Sequence, residues 1–232
     1  MRIPRRNALL DVAGLFLPRC CSGCDRPLMH GEQALCLHCT EDLPRTRFHD
    51  DEHNSVEQLF FGKLQLHAAS AFLRFTRNGI VQHMLHNLKY QGDREVGLEL
   101  GRRMARELSA SRRFADVDAV LAVPLHPRKE RQRGYNQAQV LVDGMREVWP
   151  MRDLGAELGR AVRTTSQTRR GRMERWTNVQ DAFRLLDPKG FTGSHVMVVD
   201  DVITTGATIE ACAHALQHAP GIRISVFACA CA

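Results

Sequence analysis

Two groups of residues in this chain have types and spacing that chemistry can use. The first is the run Val196-Met197-Val198-Val199-Asp200-Asp201-Val202-Ile203-Thr204-Thr205-Gly206-Ala207-Thr208. An apolar strand leads into two adjacent acids, then a small hydroxyl-rich turn, then the start of a helix. Thr204, Thr205, Gly206, Ala207 and Thr208 are small enough for backbone N–H groups to close on a phosphate, and the helix N-terminus behind them adds partial positive charge. Asp200 and Asp201 are poorly suited to hold a phosphate. They suit sugar hydroxyls, taken directly or through a hydrated Mg²⁺, which prefers hard oxygen ligands. A buried strand with a tight turn and a well-capped helix accounts for much of this pattern, but leaves the two neighbouring acids unexplained.

The second group is a set of cysteines. Five of the eight lie between positions 20 and 39, and Cys21-Ser22-Gly23-Cys24 with Cys36-Leu37-His38-Cys39 make two C-x2-C turns. Two residues between cysteines let one turn aim both sulfurs at one ion, and two such turns complete a tetrahedral Zn²⁺ site on Cys21, Cys24, Cys36 and Cys39. Gly23 eases the first turn, and Cys20 and His38 are substitute ligands. Redox chemistry of a single C-x2-C would leave the second pair without a role, and disulfides conflict with the lack of an export signal. Cys212, Cys229 and Cys231 are expected to pack as small apolar residues.

Two cationic segments complete the candidates. Pro124, Leu125 and Lys129 follow the short apolar run 117–123, and Arg133 precedes Gly134, which permits a tight turn before the next helix. These residues can bring backbone and positive charge to the end of a strand. Residues 163–178, with Arg163, Gln167 and Arg169, are polar and cationic without an apolar period, which predicts a loop.

The elements that must position these groups follow from periodicity. Residues 69–75, 117–123, 196–199 and 222–228 read as strands; 79–90, 95–109, 137–148 and 207–218 read as helices. Strands alternating with helices predict an α/β fold with a mainly parallel sheet covered on both faces. Leu9, Val12, Ala13, Phe16 and Leu17 share one face of a short amphipathic helix that leads into the cysteines. The expected organisation is residues 1–45 for this helix and the metal-binding turns, 46–66 for a polar linker, and 67–232 for the α/β domain. No run reaches the ~20 apolar residues of a membrane span, and the basic N-terminus lacks a cleavage site, so a cytoplasmic protein without membrane insertion is expected. The net charge of +6 favours anionic partners, while an aromatic content of 6% argues against extensive base stacking.

Residues 196–208 resemble the phosphoribosyl pyrophosphate (PRPP) signature of type I phosphoribosyltransferases. The resemblance implies that Asp200 and Asp201 hold the ribose hydroxyls, that the residues from Thr204 to Thr208 hold the 5′-phosphate, and that Mg²⁺ accompanies PRPP. It places the pyrophosphate loop at Pro124, Leu125, Lys129 and Arg133. The segment with Arg163, Gln167 and Arg169 resembles the catalytic loop of glutamine amidophosphoribosyltransferases, which closes over bound PRPP. The cysteine turns, Leu88-Lys89-Tyr90, Pro124-Leu125-His126, Arg133-Gly134-Tyr135-Asn136-Gln137 and the PRPP run together resemble the ComF family, linked to natural competence. That resemblance implies a phosphoribosyltransferase-like protein with an unidentified acceptor, and single-stranded DNA and competence proteins as partners. A nucleic-acid-binding accessory protein that uses the fold without transferase catalysis is the alternative. The chain begins Met1-Arg2-Ile3 and carries no N-terminal cysteine nucleophile, so ammonia transfer from glutamine is not expected.

Overall fold

The computed structural model describes residues 19–160 and 183–232. The expected helix at residues 8–17 and the cationic segment 163–178 lie outside them. In chain order the elements are α1 (Leu37–Glu41), α2 (Ser55–Gln58), β1 (Ala68–Arg74), α3 (Ile80–Tyr90), α4 (Arg94–Leu108), β2 (Ala119–Ala122), α5 (Pro127–Arg133), α6 (Gln137–Arg146), β3 (Arg152–Asp153), β4 (Leu158–Arg160), β5 (Phe183–Leu185), β6 (His195–Ile203), α7 (Ala207–Leu216) and β7 (Arg223–Cys231). Five strands form one sheet in the order β1-β7-β6-β2-β3, and every neighbouring pair is parallel. β4 and β5 form a separate antiparallel pair.

The sheet is covered on both faces, and alternation along β6 divides its side chains between them. Met197 and Val199 join the cluster built with α3, α4 and α6, whereas Val196 and Val198 join the one built with α7. The chain leaves β2 through α6 toward β3, and leaves β6 through α7 toward β7. The two crossovers run outward in opposite directions and on opposite faces. The strand order therefore switches between β2 and β6, where an open parallel sheet forms a crevice beyond its carboxyl ends.

Helices α4 and α6 meet almost backbone to backbone. A Cβ on Gly101 would lie 2.1 Å from the Leu141 carbonyl oxygen, and one on Gly144 would lie 2.2 Å from that of Leu98. The sequence reading placed no constraint there. Residues 124–135, read from sequence only as a cationic stretch, are mostly helical. His126 accepts from the Arg128 N–H as N-cap, Pro127 occupies the first turn, and Gly134 ends the helix at φ 81°. Proline at the start and glycine just past the end are ordinary helix signals, masked here by the lack of apolar residues.

Residues 46–66 are packed against the α/β core. Asn54 caps α2, its side-chain amide donates to the Ala69 carbonyl at 2.9 Å, and Val56 and Phe60 are buried. The cysteine segment is joined to the same core. Cys21, Leu35, Cys36, Cys39 and Leu43 belong to one buried cluster with Met84, Leu88 and Leu100. Asn87 donates to the Ser22 carbonyl at 3.2 Å, and the Ser22 hydroxyl donates to Asp93.

Candidate functional site

Asp200 and Asp201 lie within β6, short of its end. The ladder continues past them to Ile203, paired with Cys231, because β7 is long enough to keep accepting its partner. Sheet hydrogen bonds thus fix their backbone, where the sequence reading had put the two acids at the strand's mouth. The Asp201 N–H donates to Asp200 Oδ1 at 2.8 Å. Lys89, in the last turn of α3, sets its Nζ 2.8 Å from Asp201 Oδ2. Burial, and secondarily the charge of Asp201, push the Asp200 carboxyl up to about 7, outweighing the Asp201 N–H and the Lys89 cation that favour its ionised form.

The turn beyond β6 exposes Thr204, Thr205, Ala207 and Thr208. Gly206 is buried at φ 76°, and a Cβ there would lie 2.8 Å from the Phe60 ring, so both conformation and space require glycine. No side chain caps α7; the nearest substitute is a 3.5 Å contact from the Ala207 N–H to Thr205 Oγ1. The amides of this first turn are thus available to an outside acceptor, with the helix dipole favouring an anion.

The end of β2 faces the same crevice. The Val123 N–H donates to the Val199 carbonyl at 2.8 Å, so Pro124 lies alongside the acid pair on the neighbouring strand. Pro124 and Leu125 line a cavity of about 430 Å³ with Arg94, Tyr135, Gln139 and Asp143. Lys129 is exposed on α5. Arg133 donates to Gln137 Oε1 at 2.6 Å and lies 5.3 Å over the Tyr90 ring. Arg163, Gln167 and Arg169 lie outside the described residues.

Two cations here were given no role at this site from sequence, although Lys89 belongs to the Leu88-Lys89-Tyr90 motif. Lys89 is one. Arg160 is the other: it closes β4, donates to the Pro124 carbonyl at 3.2 Å, and lies 5.1 Å over the Phe183 ring. Burial lowers its guanidinium pKa, and no carboxylate among the described residues pairs with it. A desolvated, unpaired guanidinium beside a strand end is disposed to take an anion. Neither signal is local, since Lys89 belongs to an ordinary helix end and Arg160 sits in a three-residue strand.

The four sulfurs of Cys21, Cys24, Cys36 and Cys39 lie within 4.8 Å of one another, and Cys24 and Cys36 are 3.8 Å apart. A tetrahedron with Zn–S bonds of ~2.3 Å has an edge of about 3.8 Å, so the group could hold a structural metal such as zinc. Cys21 Sγ accepts from the N–H of Cys36 at 3.2 Å and of Gly23 at 3.4 Å. Burial raises the Cys21 thiol, but these donors outweigh it and bring the pKa to about 7. Gly23 is closely packed, since a Cβ would meet Ile80 at 3.0 Å and Cys39 Sγ at 3.1 Å; Asp25, at φ 60°, takes the left-handed position of the turn. Cys20 and His38 stand outside the four-sulfur group, and His38 pairs with Asp42 at 3.4 Å. Cys212 and Cys229 are fully buried.

A further group, His67, Asp116 and His195, lies at the amino-terminal ends of the strands, away from the acid pair. His195 bonds Asp116 through Nδ1 and Ser225 through Nε2, both at 2.8 Å, and Arg223 pairs with Asp116. The order Ser–His–Asp has the form of a nucleophilic triad, but Ser225 is wholly buried and no substrate reaches it. Its bonds serve to satisfy a polar group placed inside the sheet.

Comparison with known proteins finds relatives by sequence. The chain is 30% identical over 151 residues to the DNA utilization protein YhgH of Escherichia coli, across 64% of this chain and 65% of that protein. It is 29% identical over the same length to the protein of that name from Salmonella typhi. Competence protein F of Haemophilus influenzae is 28% identical over 131 residues, across 55% of this chain and 57% of its own. These relatives support a ComF-like family for the chain. No family model matches it. The chain combines a parallel α/β sheet with a four-cysteine group near the N-terminus, and no helix among its described residues is long and apolar enough to cross a membrane.

Proposed function

We propose that this ComF-like chain binds PRPP on a type I phosphoribosyltransferase fold and transfers its phosphoribosyl group to an acceptor. The observation that carries this reading is the rigid acid pair on β6, followed by an uncapped helix N-terminus, at the point where the strand order switches. The first turn of α7, with Thr204, Thr205, Gly206, Ala207 and Thr208, would take the 5′-phosphate through backbone amides. Asp200 and Asp201 would take the ribose hydroxyls. Arg160, the backbone at Pro124 and Leu125, and the cations Lys129 and Arg133 would face the pyrophosphate. Mg²⁺ bound to the pyrophosphate would add positive charge to the leaving group. In the transfer, the acceptor's bond to C1 forms as the C1–O bond to pyrophosphate breaks, and the acceptor's proton is released. The chain contributes positioning and charge stabilisation.

Calorimetric titration of Mg²⁺-PRPP into wild type and the Asp200→Asn/Asp201→Asn double variant tests this. The expected result is a saturable complex that the double variant weakens by at least about tenfold, the loss of roughly one hydrogen bond to a charged group. Unchanged affinity in the folded double variant would refute it.

A second reading, single-stranded DNA binding in competence or DNA utilization, draws on the names of the relatives and on one feature of the rim. Both tyrosines of the chain lie there, Tyr90 exposed beneath Arg133 and Tyr135 beneath Arg94, each ring 5.3 Å from its guanidinium carbon. Rings flanked by cations can stack bases beside a phosphate backbone. Single-strand affinity that falls steeply with salt, and drops further in Tyr90→Ala, is expected on this reading.

A further inference from the structure

His195 opens β6 with its ring wholly buried, at a sheet position that an aliphatic residue would fill with no polar atom to satisfy. The chain instead surrounds it with partners from three neighbouring segments. Its backbone N–H donates to Asp118 Oδ2 at 3.0 Å, and the Asp118 N–H donates to its carbonyl at 3.1 Å. These bonds tie the start of β6 to the turn before β2. Ser225 of β7 lies 2.8 Å from Nε2, and Asp116 of the turn lies 2.8 Å from Nδ1. His67 completes the group. Its backbone N–H donates to the Ile224 carbonyl at 2.8 Å, and its ring meets that of His195 edge to face, with 4.7 Å between centroids. One ligand atom from each of His67, Asp116 and His195 falls within 4.8 Å of the other two. The group stands at the amino ends of the strands, away from the crevice with the acid pair, and the sugar-phosphate reading makes no use of it.

We propose that His67, His195 and Asp116 form a metal site, separate from the four cysteines, that takes a first-row divalent transition ion. Two imidazole nitrogens and one carboxylate oxygen suit Zn²⁺, Ni²⁺ or Cu²⁺. They suit Mg²⁺ and Ca²⁺ poorly, since those ions prefer oxygen ligands throughout. Ser225 makes the change of state possible, because a hydroxyl can donate or accept. Without an ion, Ser225 donates to Nε2 and Nδ1–H donates to Asp116. With an ion, Nε2–H donates to Ser225, and Nδ1 turns its lone pair on the metal beside Asp116 Oδ1. The ring stays neutral, one proton leaving Nδ1 as one joins Nε2. The second nitrogen of a metal-bound histidine is ordinarily held by such an outer partner. Arg223 does the same for the carboxylate: it pairs with Asp116 Oδ2 and leaves Oδ1 toward His195. Its charge lowers the affinity without blocking that oxygen. His67 is exposed just before β1, so rotation about its side-chain bonds is enough to close the triangle. Three protein ligands at a surface leave coordination positions to water, which makes this site weaker than the closed cysteine tetrahedron.

Untagged full chain with zinc on its cysteines is titrated with Ni²⁺ by calorimetry, and its zinc content is measured again afterwards. Wild type is expected to take up about one equivalent of Ni²⁺, with its zinc retained and with an affinity that excess Mg²⁺ changes by less than about twofold. His67→Ala and Asp116→Asn are each expected to weaken Ni²⁺ binding by at least about tenfold. His83→Ala, which removes a histidine placed elsewhere, 3.5 Å from Asp25, should match wild type. Because the three ligands converge only in the folded chain, Ni²⁺ should also raise the melting temperature of wild type and not that of His67→Ala. His67→Ala trims an exposed side chain, so a fold intact without nickel is expected and the comparison is direct. Absence of saturable Ni²⁺ binding would overturn the proposal, as would nickel gained only in exchange for zinc. Binding that His67→Ala leaves intact, or that His83→Ala abolishes, would place the ion elsewhere and overturn it too. Displacement of Ni²⁺ by Mg²⁺ would reduce the group to an acidic patch around Asp116 and Asp118.

Discussion

Asp200→Asn should stabilise this protein, and more so at alkaline pH. The Asp200 carboxyl rises from an ordinary 3.8 to about 7, first through burial and second through Asp201. A raised acid pKa means that the folded state resists ionisation that the unfolded chain allows. The resulting penalty on stability is absent below pH ~4, grows as pH rises between the two values, and is complete above pH ~7. Each unit is worth ~1.4 kcal/mol, so the penalty is about 2 kcal/mol at pH 5 and about 4 kcal/mol at pH 8. Asparagine keeps the size and does not titrate, and the Lys89–Asp201 pair remains in the variant. Any fixed cost of the amide is common to both pH values, so the change in the stability difference between them, about 2–3 kcal/mol, isolates the carboxyl. For a chain of this length ~2–4 °C accompanies each kcal/mol, which gives roughly 5–10 °C in melting temperature. Melts of both proteins at pH 5 and pH 8, with zinc present in every sample, measure this. A difference between variant and wild type that is the same at both pH values would refute the reasoning. It would mean that Asp200 ionises as freely in the fold as in the unfolded chain. A stabilised variant that also binds PRPP more weakly is the pattern of a site whose strain serves function.

Metal analysis of protein prepared without chelator is expected to give about one zinc per chain, and Cys36→Ser to lower it. Because the four sulfurs share a buried cluster with α3 and α4, stripping the metal should lower the single melting transition of the whole described fold, and a surviving unchanged α/β transition would contradict that. Gly144→Ala should destabilise by about 1–3 kcal/mol or more, since its Cβ would lie 2.2 Å from the Leu98 carbonyl oxygen and backbone has to move; urea denaturation reads this, and a neutral result would show that α4 and α6 separate easily. Arg160→Gln should weaken PRPP binding more than ribose 5-phosphate binding, because the guanidinium lies beside the Pro124 carbonyl, where the proposed function puts the pyrophosphate; equal losses for the two ligands would place it elsewhere.

The sequence determined what is local. Apolar runs such as 196–199 and the periodicity of residues 79–90 and 137–148 announce strands and helices wherever they sit, and two C-x2-C turns announce a metal-binding group. The acid pair and the small turn after it are contiguous, so the strand, turn and helix that carry them were legible without a fold. What only the tertiary structure decided depends on register and on partners distant in sequence. Nothing near Asp201 shows that β6 continues to Ile203, since that depends on the length of β7. Nothing near Lys89 shows that its helix ends on Asp201, more than a hundred residues away. Residues 46–66 are polar enough to pass for a linker, yet Val56 and Phe60 are buried under the sheet and Phe60 supports Gly206. Composition reports the average of a segment, whereas packing depends on the one or two residues that meet a partner. Charge shows the same division. The sequence counts a net +6 but assigns no cation to an anion, and pairing and desolvation, which set the strength of each interaction, exist only once the chain has folded.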